Sequence, residues 1–366
     1  MLIGLDASRA NRVQKTGVEW YSYHLIQELK KIDRRNRYFL YSPDELRGDL
    51  AVLPSGWKGK ILKWIPKFLW TQIRLSWEMI ANPPNLLFIP AHVIPIIHSK
   101  KVITTCHDLG FERFPQAYSF WQRKYLQWST KFNLKHALKI ITPSEFTKKE
   151  LIDLYSADPD KIVVIYLGYD NKVYNLDPPG EEKTPEPRAL CPFILYIGRL
   201  EKKKNLLNLI KAFKILKTNY QTKEIKDQKL VLIGKPGFGY KEIKKELKDE
   251  KDIVHFDWKE NSLSFLKRAS LFVFLSFYEG FGLPVLEAMA CGVPIIVSRA
   301  GSLPEITGEA TFSVDPTKPK EIAEAMKTML EDVNKREELK AKGLKRAKEF
   351  SWSKCAKETL ALIESI

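Results

Sequence analysis

The chain of 366 residues carries 60 Lys+Arg against 44 Asp+Glu, a formal net charge of +16, with 44% hydrophobic and 28% charged residues. These proportions exclude a wholly disordered chain, and no apolar run approaches the roughly 20 residues that span a bilayer. Positive charge is spread along the length, +9 over residues 1–170 and +7 over 171–366, so it favours an anionic partner without choosing among nucleic acid, a phosphorylated small molecule and an anionic membrane.

At roughly 100–200 residues per domain, the length predicts two domains. The opening MLIGLDASRANR reaches Asp6 without an apolar core, which does not fit a signal peptide. The four cysteines (Cys106, Cys191, Cys291 and Cys355) lie far apart without a CxxC pair. A reducing cytoplasm is the expected compartment, and zinc is not expected.

Short β-branched runs alternate with amphipathic Lys/Glu-rich stretches along the chain. Strands are predicted at 2–6, 37–42, 86–90, 101–106, 139–143 and 162–167, with helices near 17–33, 68–80, 116–137 and 145–155. Asn175–Pro192 changes character: Pro178, Pro179, Gly180, Pro185, Pro187 and Pro192 crowd it, and it reads as an interdomain linker. Alternation resumes with FILYIG (193–198), KLVLIG (229–234), IVHF (253–256), LFVFLS (271–276) and PIIVS (294–298), and 318–366 reads as helical throughout. Two successive βαβ series predict an α/β fold of two doubly wound parallel sheets. Ligands of such sheets bind beyond the carboxyl ends of the strands, so the expected active site is a central cleft between two facing domains.

The most informative stretch is SFYEGFGLPVLEAMACG, Ser276–Gly292, which follows the buried run LFVFLS and enters an apolar helix. Gly280 and Gly282 permit a tight backbone path close to a ligand, and Pro284 suits the first helical turn, where its missing N–H costs nothing. A helix start of this kind offers free amides and a positive dipole end to a phosphate. Glu279 and Glu287 stand in an E-x7-E spacing. Carboxylates would be repelled by a diphosphate, and their natural partners are the hydroxyls of a ribose or a sugar.

The string EGFGLPVLEA-MACG-PII-S resembles the E-x7-E signature of family 4 of the retaining glycosyltransferases, enzymes of the GT-B fold with two Rossmann-like domains. That resemblance implies that Glu287 binds the nucleotide ribose and Glu279 contacts the donor sugar. It also implies that the amides of Phe281, Gly282 and Leu283 approach the sugar and phosphates. In FILYIGRLEKKKNLLNLI, Arg199 follows a strand end and Lys204 opens a helix five residues later. Two fixed cations there can neutralise a departing diphosphate without a metal, and the matching family residues do so. Lys202 and Lys203 remain unassigned.

Other segments extend the match. Gly17 and Val18, at the start of the first long helix, match the family's glycine loop near donor phosphate and acceptor. His107 and Asp108 in VITTCHDLGFERFPQAYS end a strand; the histidine matching His107 contacts the donor sugar near its C6 hydroxyl. Gly234-Lys235 opens a loop that fails both the GxxxxGK[ST] and GxGxxG templates, and in the family it lines the base pocket. Ser144 reads as a helix cap, and Asp158-Pro-Asp160, although a DxD pattern, as turn chemistry. His24, His92, His98, His136 and His255 show no ligand spacing.

Residues 56–77 (GWKGKILKWIPKFLWTQIRLSW) interleave Lys58, Lys60, Lys63, Lys67 and Arg74 with Trp57, Trp64, Phe68, Trp70 and Trp77, and contain no acid. That pattern suits the interface of an anionic membrane. The resemblance implies an N-terminal acceptor-binding domain over 1–172, a linker over 173–192, a donor-binding domain over 193–350, and a last helix, 351–366, that packs back on the N-terminal domain. The expected activity is metal-independent, retaining transfer of a mannosyl-type hexose from a UDP- or GDP-sugar to a glycan or lipid-linked acceptor. No cofactor beyond the donor and no nucleic acid are expected, and the expected location is the cytoplasm, peripheral to the inner membrane face. A sugar-nucleotide epimerase or phosphorylase of the same fold, or a non-catalytic sugar-nucleotide binder, is the alternative.

Overall fold

The computed structural model describes residues 1–65, 68–177, 189–190, 192–248, 250–257 and 262–366. The linker residues Pro178, Pro179, Gly180, Pro185 and Pro187, together with Cys191, Pro66 and Lys67, lie outside the described residues. The chain divides into two units, Met1–Gly168 with Ser351–Ile366, and Tyr169–Phe350.

The first unit holds seven parallel strands: β1 (Leu2–Asp6), β2 (Arg37–Ser42), β3 (Trp57–Ile61), β4 (Leu86–Ile89), β5 (Val102–Thr105), β6 (Lys139–Thr142) and β7 (Ile162–Val164). Their order is β3-β2-β1-β4-β5-β6-β7. Strands β4 and β5 are buried along their whole length, as a parallel sheet covered on both faces requires, which is why they read as continuous apolar or β-branched runs. The helix Gly17–Ile32 opens with a capping box between Thr16 and Glu19 and buries Tyr21, Leu25, Ile26 and Leu29. The last helix, Trp352–Glu364, packs on it, with the His24 and Trp352 rings stacked at 5.1 Å.

The second unit holds β8 (Phe193–Ile197), β9 (Lys229–Ile233), β10 (Ile253–Phe256), β11 (Leu271–Phe274), β12 (Ile295–Ser298) and β13 (Phe312–Val314), in the order β10-β9-β8-β11-β12-β13. Every pairing in both sheets is parallel. The chain steps outward from β8 to β10, then returns to β8 and builds the other half from β11. The order therefore reverses between β8 and β11 here, and between β1 and β4 in the first unit. Open α/β sheets take their ligands at such reversals, beyond the carboxyl ends of the strands.

Three expectations are corrected. Strands β3 and β13, both at sheet edges, were not among the predicted strands. The stretch 318–366 is three helices, Pro319–Glu331, Val333–Ala347 and Trp352–Glu364. Asp332 and Ser351 interrupt it, each accepting a backbone N–H at the next helix start: Asp332 from Lys335 at 2.9 Å and Ser351 from Lys354 at 3.1 Å. The predicted helix at 68–80 begins with a π-helical turn, Thr71–Leu75, before Ser76–Ala81.

Candidate active site

The loops leaving β8 and β11 carry the charged candidate residues Arg199, Lys204 and Glu279. Tyr196, buried at the end of β8, donates its hydroxyl to the Arg199 carbonyl at 3.0 Å, fixing the backbone beneath an exposed guanidinium. The next turn, Lys202–Lys204, sorts three adjacent cations by partner. Lys202 pairs with Glu242 at 2.6 Å, Lys203 with Glu201 at 3.6 Å, and Lys204 with Glu279 at 2.5 Å. Lys204 and Glu279 are largely buried, and the ammonium also lies over the Phe274 ring, 5.5 Å from its centre. The two loops are tied together by the Phe277 amide, which donates to the Lys203 carbonyl at 2.9 Å. Residues expected to serve diphosphate and sugar separately are thus a single ion pair, whose charges satisfy each other at a sheet's reversal point.

Gly282 caps the helix Leu283–Ala290 with a left-handed φ of 103°. This left-handed backbone favours glycine, and a Cβ there would also press on the Leu303 side chain at 2.7 Å. Leu283 opens the helix, where its amide has no helical acceptor, and Pro284 has none to offer. Phe281 buries its ring against Phe350, and its carbonyl accepts from Ser302 Oγ at 3.0 Å. The Glu279 carbonyl accepts from the Ser302 amide at 3.2 Å, so the whole turn is held from one side by Gly301 and Ser302.

Glu287 lies in the helix Leu283–Ala290 and has a different partner. The Tyr174 hydroxyl donates to its carboxyl, while burial pushes its pKa up to about 8. Tyr174 falls within the stretch expected to be a linker, yet 169–177 belongs to the second unit, where Lys267 Nζ holds Asn175 Oδ1 at 3.0 Å. Sequence reasoning missed Tyr174 because no pattern surrounds it.

Gly234 ends β9 against the chain leaving β8: a Cβ on it would sit 1.8 Å from the Gly198 carbonyl oxygen. Its own carbonyl accepts from His255 Nε2 at 3.0 Å, which gives that histidine a packing role. Lys235 is exposed on the loop that follows.

In the first unit, Gly17 is the first residue of its helix, and Val18 packs against the core. His107 follows β5. Its Nε2 lies 3.2 Å from the Pro90 carbonyl, which can only accept, so Nε2 carries the proton and Nδ1 keeps its lone pair. Burial lowers its pKa, so the ring stays neutral. It packs edge-on against Tyr21 at 4.8 Å. Asp108 accepts from the Gly110 amide at 2.8 Å, a turn contact. A cluster that sequence reasoning did not single out stands nearby: buried Glu19 accepts from Arg9 and Arg12, each at 3.4 Å, and Glu19 and Arg9 both act electrostatically on His107. Asp158 accepts from the Asp160 amide at 2.9 Å and Ser144 from the Thr147 amide at 3.1 Å, the turn and cap that were expected.

The basic–aromatic stretch 56–77 is divided by burial. Trp57 stacks on Tyr38 at 3.9 Å, and Trp70 donates to the Leu62 carbonyl at 2.8 Å; both are core residues. Lys60 and Arg74 pair with buried Glu78, at 2.7 and 3.6 Å. The acid just past the stretch therefore takes up two of its cations.

The chain is similar to known proteins over most of its length. Residues 15–173 match the family description "Glycosyltransferase Family 4", and residues 183–346 match "Glycosyl transferases group 1". The O-antigen chain mannosyltransferase B of Escherichia coli is 31% identical over 269 residues, covering 71% of this chain and 69% of that protein. A Campylobacter jejuni N-acetylgalactosamine-N,N'-diacetylbacillosaminyl-diphospho-undecaprenol 4-alpha-N-acetylgalactosaminyltransferase is 29% identical over 228 residues, 60% of this chain and 58% of that protein. Among solved structures, Anabaena HepE in complex with UDP-glucose superposes with a TM-score of 0.77 at 16% identity, each chain covered in full. The lipopolysaccharide glycosyltransferase WaaG does so at 0.74 and 11% identity, with 99% of each chain covered. The two family matches and the 31% identical Escherichia coli relative make this chain a member of glycosyltransferase family 4, and its two parallel sheets have the GT-B fold of the solved structures.

Proposed function

We propose that the protein transfers a mannosyl-type hexose from a nucleotide-diphosphate sugar to a glycan or lipid-linked acceptor, with retention of anomeric configuration and without a metal. The observation that carries this reading is the Lys204–Glu279 ion pair of 2.5 Å at the reversal point of the second sheet. A diphosphate displaces Glu279 from Lys204, and the freed carboxylate accepts the hydroxyls of the transferred sugar. Arg199, exposed on the same loop, adds a second cation, and the amides opening the helix after Gly282 add the dipole end. Charge on the leaving phosphate is then met by groups already fixed in place.

Glu287 takes the ribose diol. Two donated hydroxyl hydrogen bonds favour the carboxylate form, so nucleotide binding draws off the proton that burial retains. His107, with Nδ1 open as an acceptor, holds a hydroxyl of the transferred sugar. Gly17 and Gly234–Lys235 stand at the phosphate and at the base. The leaving phosphate takes the acceptor's proton on the face it departs from. HepE was solved with UDP-glucose, and the E. coli relative is named a mannosyltransferase, so both UDP- and GDP-linked hexoses belong in the first screen. Nucleotide sugars place the work in the cytoplasm, on the inner membrane face when the acceptor is lipid-linked.

Mass spectrometry of purified protein with UDP-glucose, UDP-N-acetylgalactosamine and GDP-mannose tests this reading. One of them should lose its sugar to water or to an added acceptor, and should do so in excess chelator. Strict dependence on manganese would remove the metal-independent part, and conversion of the donor to its epimer without an acceptor would replace transfer by epimerisation.

A further inference from the structure

Beyond the site, the first unit carries an apolar face that its own core leaves largely exposed. The turns and helix over 68–81 expose Phe68, Leu69, Ile73, Trp77 and Ile80, the last three at spacings that line one side of a helix. Helix Phe120–His136 exposes Trp121 and Trp128 and half-buries Tyr125 and Phe132 along a similar stripe, with Tyr125 on Trp128 and Trp128 on Phe132 as stacked rings and Phe132 also packed on the core. Ile96 and Ile97 lie exposed on the loop after β4. Gln72 binds the three segments into one surface: its Nε2 donates to the Ile94 carbonyl and lies 3.0 Å from the Tyr125 hydroxyl, and its Oε1 accepts the Ile96 amide at 3.0 Å. Trp77 is 68% exposed and Trp121 79%. Monomeric soluble proteins rarely leave apolar groups of this size together in water.

Charge says what covers the face. Residues 63–81, 92–101 and 119–139 contain ten Lys/Arg and one acid, Glu78, which is buried. Arg74 and Arg123 are paired with Glu78 and Glu112, while Lys63, Lys100, Lys101, Lys124, Lys131 and Lys135 are exposed. A second copy of the chain would set these cations against themselves. Tryptophans flanked by lysines match the boundary between headgroups and acyl chains, where rings enter the apolar side and ammoniums meet lipid phosphates.

We propose that this face, formed by 68–81, 94–97 and 120–136, docks the protein onto an anionic lipid bilayer. The proposal deepens the lipid-linked acceptor reading and rests on it for its purpose. It also moves the contact from strand β3, where Trp57 and Lys60 are engaged, to the exposed ridge.

The test is co-sedimentation of the full chain with phosphatidylcholine vesicles containing roughly one-third phosphatidylglycerol, against pure phosphatidylcholine, at about 0.1 M salt. The protein should bind the anionic vesicles and not the neutral ones. Trp77→Ala with Trp121→Ala should weaken binding about tenfold or more, and Lys124→Glu with Lys131→Glu should abolish it. All four residues are surface groups, so melting temperature and the shift produced by UDP or GDP should match wild type. A nucleotide shift without vesicle binding would overturn membrane docking and leave the donor reading standing; vesicle binding without a nucleotide shift would do the reverse. Unchanged vesicle binding by the double tryptophan variant, or loss of a dimer in that variant without any vesicle binding, would also overturn the proposal.

Discussion

Lys204 and Glu279 lie far apart in sequence, yet the fold makes them one ion pair. Replacing Lys204 with Met should lower kcat/KM by about 2 kcal/mol or more of transition-state stabilisation, the usual scale for a lost charged contact. Steady-state rates at fixed donor check this, and turnover near wild type would remove Lys204 from the site. Glu287 allows a pH test. Its carboxyl keeps a proton up to about pH 8 when folded but loses it near 4.5 when unfolded. Between those values the folded state binds the extra proton, so this group's contribution to stability falls as pH rises, by up to about 1.4 kcal/mol per pH unit. Denaturant melts at several pH values should show that slope in wild type relative to Glu287→Gln, and parallel curves would contradict it. The placement of both glutamates around a helix start was legible in the sequence, because a glycine turn and a proline fix it locally. Tyr174 was not, since its role depends on a fold contact that brings it to Glu287.

At the level of elements, the strand ends decide whether the loops meet. Loops 198–204 and 234–239 run together, with the Leu200 amide donating to Lys235 and the Lys202 amide to Phe238, both at 2.9 Å. Gly234 allows the closest approach, and Gly234→Ala would drive a methyl group into the Gly198 carbonyl. We expect a destabilisation of about 1–3 kcal/mol or a displaced loop, visible as a lower denaturation midpoint. An unchanged midpoint together with unchanged nucleotide affinity would show that the loops tolerate separation. Long buried strands were readable as apolar runs. The edge strand Trp57–Ile61 was not, because Lys58, Gly59 and Lys60 interrupt its pattern and only its pairing with β2 makes it a strand. Phe312–Val314 is three residues long and carries almost no signal of its own. A solvent-exposed tryptophan and a core tryptophan look alike in sequence, so Trp70 and Trp77 became distinguishable only by burial.

Over the whole molecule, two sheets with reversed strand order supply the same kind of loop-lined edge twice, once with Lys204, Glu279 and Glu287 and once with Gly17 and His107. Two-domain α/β organisation was legible because alternating strand and helix periods persist along the chain. The lysine-rich composition, by contrast, could not be assigned until the fold separated paired cations from exposed ones. The most direct measurement is calorimetric titration of wild type and Lys204→Met with UDP and with GDP. Wild type should bind one of them, and the variant should bind it at least about tenfold more weakly. Equal affinity in the two proteins, or no binding of either nucleotide by wild type, would contradict a diphosphate site at Lys204.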